Sequence, residues 1–187
     1  VYTTVRSDVQ QAAQQAIWNN LHGYDERHGY RGPVSVLWNE KEGKPALSQA
    51  EVIDYLARVD RIGAVVPAVV MGVDEQSAQI LIKGDEQATT LNWDAMKWAR
   101  PYLNEERQGE APKSATDIMQ PGHVIYVRSV GDEHQLRLAQ VPEPSSAIVS
   151  LKPQDGAVEA VVGGYSFSLS QYNRALQAAR QVGSNIK

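Results

Sequence analysis

The sequence predicts a mainly β chain with α elements, an α+β arrangement, on three observations. Five β-leaning runs crowd into one region, at 65–73, 78–83, 88–91, 124–130 and 136–141, each short and rich in the residue types that suit half-buried strands. Two stretches ahead of them space their apolar residues at the helical period. Beyond Pro142-Glu143-Pro144, where two prolines interrupt any ladder or helix, two more alternating runs flank an Asp-Gly pair, which marks a hairpin turn.

In chain order, VYTTV alternates and is β-branched, which predicts a short strand. From Ser7, taken as an N-cap, Val9, Ala12, Ala13, Ala16, Ile17 and Leu21 recur at helical spacing, and the helix should stop near Gly23. The run GYDERHGYRGP is dense in glycine and charge and reads as a polar connector. A strand is expected at 34–38, followed by a Lys/Glu/Gly/Pro stretch through Pro45. Ser48-x-x-Glu51 is a capping-box signature, with Val52, Ile53, Leu56 and Val59 as the apolar face of a short helix.

Gly84-Asp85 and Gly131-Asp132 sit at two breaks between the five strand runs, and 92–100, with Trp93, Met96 and Trp98, reads as a helix between the third and fourth. Five short strands with a helix after the third is the order of an OB-type barrel. Residues 104–113 are polar and read as an exposed loop. The runs 147–151 and 157–162 form the expected hairpin around Asp155-Gly156, closed by Gly163-Gly164, and 170–180 is helical or turn-rich.

Composition bounds the chemistry. A length of 187 residues, 42% apolar and 21% charged, suits one generous domain or two small ones. The net charge of −4 offers no global basic field for phosphate backbones, so nucleic acid is not an expected partner. With no cysteine there are no disulfides, thiolate nucleophiles or cysteine zinc sites. No apolar run approaches the roughly 18–20 residues that span a bilayer, and VYTTVRSDVQ lacks the core of a signal peptide; the chain is read as soluble or as part of something anchored.

Among chemical candidates, Ser184 and Lys187 form an S-x-x-K tetrad in RQVGSNIK. At i and i+3 of a helix they share a face, and a lysine kept neutral by burial can take the serine proton and make an acylating nucleophile. The bare tetrad is common by chance, so its neighbours must decide. His22, His28, His123 and His134 show no metal spacing, Asp25-Glu26 and Glu105-Glu106 read as solvated pairs, and Trp93 and Trp98 read as packing residues. The glycines match no phosphate-binding loop, and no cofactor is implied.

The segments AIVSLKPQDGAVEAVVGGYSF and QYNRALQAARQVGSNIK, with Asn173-Arg174-Ala175, Gln177-Ala178 and Gly183-Ser184 in register with the tetrad, resemble the opening of the transpeptidase domain of class A penicillin-binding proteins. These are bifunctional peptidoglycan synthases whose nucleophile motif is S-x-x-K. VYTTV, the helix after it and YDERHGYRGP are similar to the linker that follows this family's membrane-bound glycosyltransferase. The 1A-type members of Gram-negative bacteria carry an OB-like insertion between linker and transpeptidase, which 61–142 resembles.

The resemblance divides the chain into a linker (1–32), a strand-helix connector (33–60), an OB-like domain (61–142) and the start of a transpeptidase domain (143–187). Its implied fold is a five-stranded OB-like barrel flanked by the linker helix and the first transpeptidase hairpin. It implies Ser184 as the nucleophile of D,D-transpeptidation and Lys187 as its proton acceptor. The implied partners of the longer enzyme are peptidoglycan stem peptides, a lipid-linked precursor, β-lactams and an outer-membrane lipoprotein activator. The implied place is the periplasmic side of an inner-membrane anchor. The companion motifs S-x-N and K-[ST]-G are absent from these 187 residues, so the chain alone is expected to be inactive. Two other readings are a protein-docking module and an OB-type saccharide or nucleic-acid binder using Arg100, Arg128 and Arg137 with Trp98 and Tyr126.

Overall fold

The computed structural model describes residues 3–131 and 133–179. In chain order the elements are α1 (Ser7–Glu26), β1 (Ser35–Val36), α2 (Gln49–Arg58), β2 (Val66–Val73), β3 (Ser77–Ile82), β4 (Thr89–Asn92), β5 (Tyr102–Asn104), β6 (Arg107–Gln108), β7 (His123–Val130), β8 (Gln135–Ala139), β9 (Ile148–Leu151), β10 (Val158–Val162) and α3 (Arg174–Gln177). His22–Val141 forms one compact unit, and the segments flanking it form another.

In the main sheet of the central unit the strands pair antiparallel, in the order β1-β7-β2-β3-β4, with β8 also on β7. Because β2 occupies one edge of β7 over Val124 to Val127, β1 and β8 follow one another along its other edge. The five expected strands are present, and β1 makes a sixth. No ladder joins β4 to β8 among the described residues, so the OB-like sheet is not a closed barrel. Leu91, Met96 and Leu138 pack in the interior there instead.

The strands read as almost continuous apolar runs because both faces are covered. Ala68, Val70, Ile80, Ile125 and Val127 point into the main core, whereas Val69, Leu81 and Val124 alternate to the other face and meet Trp38 with Val52 and Leu56 of α2. Each of these Val, Leu and Ile side chains contributes roughly 1.5–3 kcal/mol on burial. The Ser48 capping box forms as expected: Ser48 Oγ accepts from the Glu51 amide, and the Glu51 carboxylate accepts from the Ser48 amide at 2.8 Å.

Several expectations need correction. Residues 92–100 are not a helix of that length but a 3-10 turn at Trp93–Ala95 followed by tight turns, with Met96 N donating to Trp93 O at 2.9 Å. Pro101 follows, and the residue before a proline is pushed out of the helical region. The expected loop 104–113 begins inside a hairpin, β5–β6, whose turn is held by Glu106 N donating to the Asn104 side chain at 3.0 Å. Residues 3–5 of the expected first strand are not in a strand; residues 1–2 lie outside the described residues, as does Asp132.

α1 starts at Ser7 itself and runs 20 residues, through Gly23 to Glu26. In the flanking unit the Gln10 side chain behaves as a piece of strand. Its amide donates to Val161 O at 3.0 Å and accepts from Val161 N at 2.9 Å. β9 and β10 form the expected hairpin, with Gly156 at φ +73 in the turn and Asp155 accepting from Ala157 N at 3.1 Å.

Candidate functional site

The helix outlasts Gly23 because of tertiary partners. Asp25 and Glu26 sit at the C-terminal end of α1, where the helix dipole disfavours negative charge and no basic residue of the last turn compensates. Arginines from elsewhere do. Arg31 grips Asp25 with two bonds of 2.9 and 3.0 Å. Glu26 accepts from Arg137 Nη2 at 2.7 Å and from Arg128 Nη2 at 3.2 Å, more than a hundred residues away in sequence. Gln140 stitches the following bend, donating to Gly29 O at 2.8 Å and accepting from Arg31 N at 2.9 Å. The segment that reads as a polar connector is therefore fixed onto β8, with Asp25 and Tyr30 buried.

This arrangement sets the local protonation. Burial would raise the Glu26 carboxyl, but the hydrogen bonds and charges of Arg137 and Arg128 outweigh it and hold the carboxyl below its ordinary range. His22, only 1% exposed, is pushed down to about 4 by burial and then by the charge of Arg128, against the opposing Glu26 and Asp25. Between about 6.5 and about 4 the unfolded state therefore holds a proton that the folded state lacks. Stability should fall by a few kcal/mol as pH drops through that window, and Glu26 adds to the loss lower still as it protonates. Urea midpoints measured from pH 7 to 4 should show this slope, and His22→Gln should flatten it; an unchanged slope would contradict the assignment.

The same pairing dismantles the proposed basic groove. Arg128 and Arg137 are committed to Glu26, and Trp98 stands edge-on to Tyr30 with ring centres 5.9 Å apart, packed against the core. Arg100 lines a different, polar pocket with Arg27 and Arg107. No group of three or more metal-ligating side chains occurs among the described residues. His28 stacks on Tyr24, and His123 Nδ1 accepts from Gln120 N at 3.2 Å. Ser184 and Lys187 lie outside the described residues.

Sequence reasoning missed a cleft of about 570 Å³ in the central unit. Its floor is Trp38, Leu47, Met71 and Met119, and its rim includes Asn39, Lys41 and Gln120. These come from four separate stretches of chain, so no local motif announces them.

Residues 30–144 match the family described as penicillin-binding protein OB-like domain. Along its whole length the chain is 48% identical to penicillin-binding protein 1A of Escherichia coli (strain K12) and covers 21% of that protein. It is 44% identical to the protein of the same name from Vibrio cholerae and covers 23% of it. The crystal structure of penicillin-binding protein 1A from Haemophilus influenzae superposes with a TM-score of 0.79 at 36% identity, covering all of this chain and 25% of that one. The chain thus spans between a fifth and a quarter of the proteins it matches. With a six-stranded OB-like sheet lying inside the matched residues, the chain belongs to the penicillin-binding protein OB-like domain family.

Proposed function

We propose that the chain is the OB-like module, with its linker and the opening of the transpeptidase domain, of a class A peptidoglycan synthase of Gram-negative bacteria. The observation that carries this reading is the coincidence of the OB-like family match over 30–144 with whole-chain similarity to penicillin-binding protein 1A. The proposed divisions are a linker at 1–32, a connector at 33–60, the OB-like domain at 61–142 and the transpeptidase opening at 143–187. In the longer protein, anchored in the inner membrane and facing the periplasm, a glycosyltransferase polymerises the lipid-linked precursor. No helix among the described residues is long and apolar enough to cross a membrane, so the anchor would be supplied by another part of that protein.

Ser184 Oγ would attack the carbonyl of the penultimate D-alanine of a stem peptide while Lys187 takes its proton. The terminal D-alanine leaves, and an amine of a neighbouring stem resolves the acyl-enzyme; a β-lactam in the same position remains attached. The OB-like module contributes no group to this chemistry. Its role is docking and regulation, with the outer-membrane lipoprotein activator as the proposed partner.

Fluorescent penicillin tests the reading. The longer protein should label and Ser184→Ala should lose the band, whereas the 187-residue chain should not label. A labelled chain would contradict its proposed inactivity, and a labelled Ser184→Ala protein would contradict the assignment of the nucleophile. Removing 61–142 from the longer protein should abolish stimulation by the activator and spare basal cross-linking; unchanged stimulation would overturn the docking role.

A further inference from the structure

The Trp38 cleft combines an apolar floor with donors that the protein leaves unused. Trp38 is 3% exposed. Among the described residues its indole N–H has no acceptor, and the ring lines the cleft. Asn39 spends its side-chain oxygen on Lys41 N at 3.1 Å, which leaves its NH₂ group for a ligand. The Lys41 ammonium and the Gln120 side-chain amide make no hydrogen bond or ion pair among the described residues. Met71 and Met119 supply a floor that adapts to the shape of what it holds. At about 570 Å³ the cleft lies within the roughly 300–1,000 Å³ of small-ligand sites.

The excess of donors selects the ligand. Covering two side-chain amides and an ammonium with an apolar partner side chain would cost their hydration without return. A ligand rich in acceptors that also carries small methyl groups satisfies both surfaces. An acetamido sugar does so: its carbonyl and ring oxygens accept, its acetyl methyl packs on Trp38 and the methionines, and a carboxylate pendant from the sugar suits Lys41. Glu40, on the same rim, can accept from sugar hydroxyls. We infer that this cleft is a glycan-binding site that holds an N-acetylated amino sugar of the peptidoglycan strand. The choice of polymer rests on the function proposed above.

The chain contains three methionines, which supply the readout. Met71 and Met119 line the cleft, whereas Met96 is wholly buried in the main core. With ¹³C-methyl methionine in the 187-residue chain, titration with a soluble tetrasaccharide of alternating N-acetylglucosamine and N-acetylmuramic acid should shift Met71 and Met119 saturably and leave Met96 still. Gln120→Ala and Lys41→Ala should each weaken that binding roughly ten-fold, the effect of losing one good hydrogen bond, with the Met96 signal unchanged as proof of an intact fold. No shift at Met71 and Met119, or shifts that both variants leave unaltered, would overturn the inference. A response of the two signals to the lipoprotein activator and not to the glycan would also overturn it, and would make the cleft a protein-docking site. The titration involves no acylation, so its failure leaves the penicillin-labelling result standing, and the reverse holds as well.

Discussion

Gly122→Ala is expected to destabilise the central unit by about 3 kcal/mol or more. Gly122 has φ +89, a backbone region that L side chains rarely adopt. A Cβ there would run into the Trp38 carbonyl oxygen and lie 2.9 Å from the indole ring. Neither neighbour is free to retreat. The Gly122 amide donates to Val70 O at 2.8 Å, and its carbonyl accepts from Leu37 N at 2.8 Å, so the residue pins the end of β1 to the middle of β2. Gly43 serves as the control, because it has φ +78 with nothing within 4 Å of a Cβ. Gly43→Ala should cost only the conformational term, about 1 kcal/mol. Urea unfolding of the two variants measures the difference, and equal losses would show that the Trp38 carbonyl is not a wall.

Glu26→Ala is expected to cost about 3 kcal/mol. Removing one partner of a buried ion pair leaves the other charge uncompensated, which typically costs 3–5 kcal/mol. Here the side chains of Glu26 and Arg128 are 15% and 9% exposed. Arg128 already has one nitrogen, Nε, buried without a partner, so losing Glu26 strips the one anion it pairs with among the described residues. Arg137 is 29% exposed and can recover water, which places the expectation at the lower end of the range. The last turn of α1 should fray as well, because Glu26 is where the sheet holds it. Asp54→Ala breaks an exposed pair with Arg58 and should stay within about 1 kcal/mol. If the two variants lost the same stability, the Glu26 network would count as surface decoration.

Much of the fold was legible because its signals are local. Strand limits fell within a residue or two where Val, Ile and Leu runs meet Gly84 at φ +96 or Gly131 at φ +71, and the Ser48 box and the Asp155-Gly156 turn formed as read. What escaped depends on distant partners. Gly23 looked like a stop because nothing near it shows that Arg128 and Arg137 will hold Glu26. Glu26 looked solvated for the same reason, whereas the partner of Asp25, Arg31, is six residues on and reaches it only because the bend between them folds back. The β5–β6 hairpin has too few apolar residues to announce itself, and the Trp38 cleft draws on separate stretches of chain. Ser184 and Lys187 showed the opposite pattern: the motif and its flanks were readable from sequence, while their arrangement lies outside the described residues.

The most direct test is to locate the acyl group. Arg180 and Lys187 bracket the tryptic heptapeptide QVGSNIK, in which Ser184 is the one hydroxyl-bearing residue. After benzylpenicillin treatment of the longer protein, denaturation and digestion, this peptide should carry the mass of the opened β-lactam. An adduct on a different peptide, or none on a protein that folds, would contradict the assignment of Ser184 as the penicillin-reactive nucleophile.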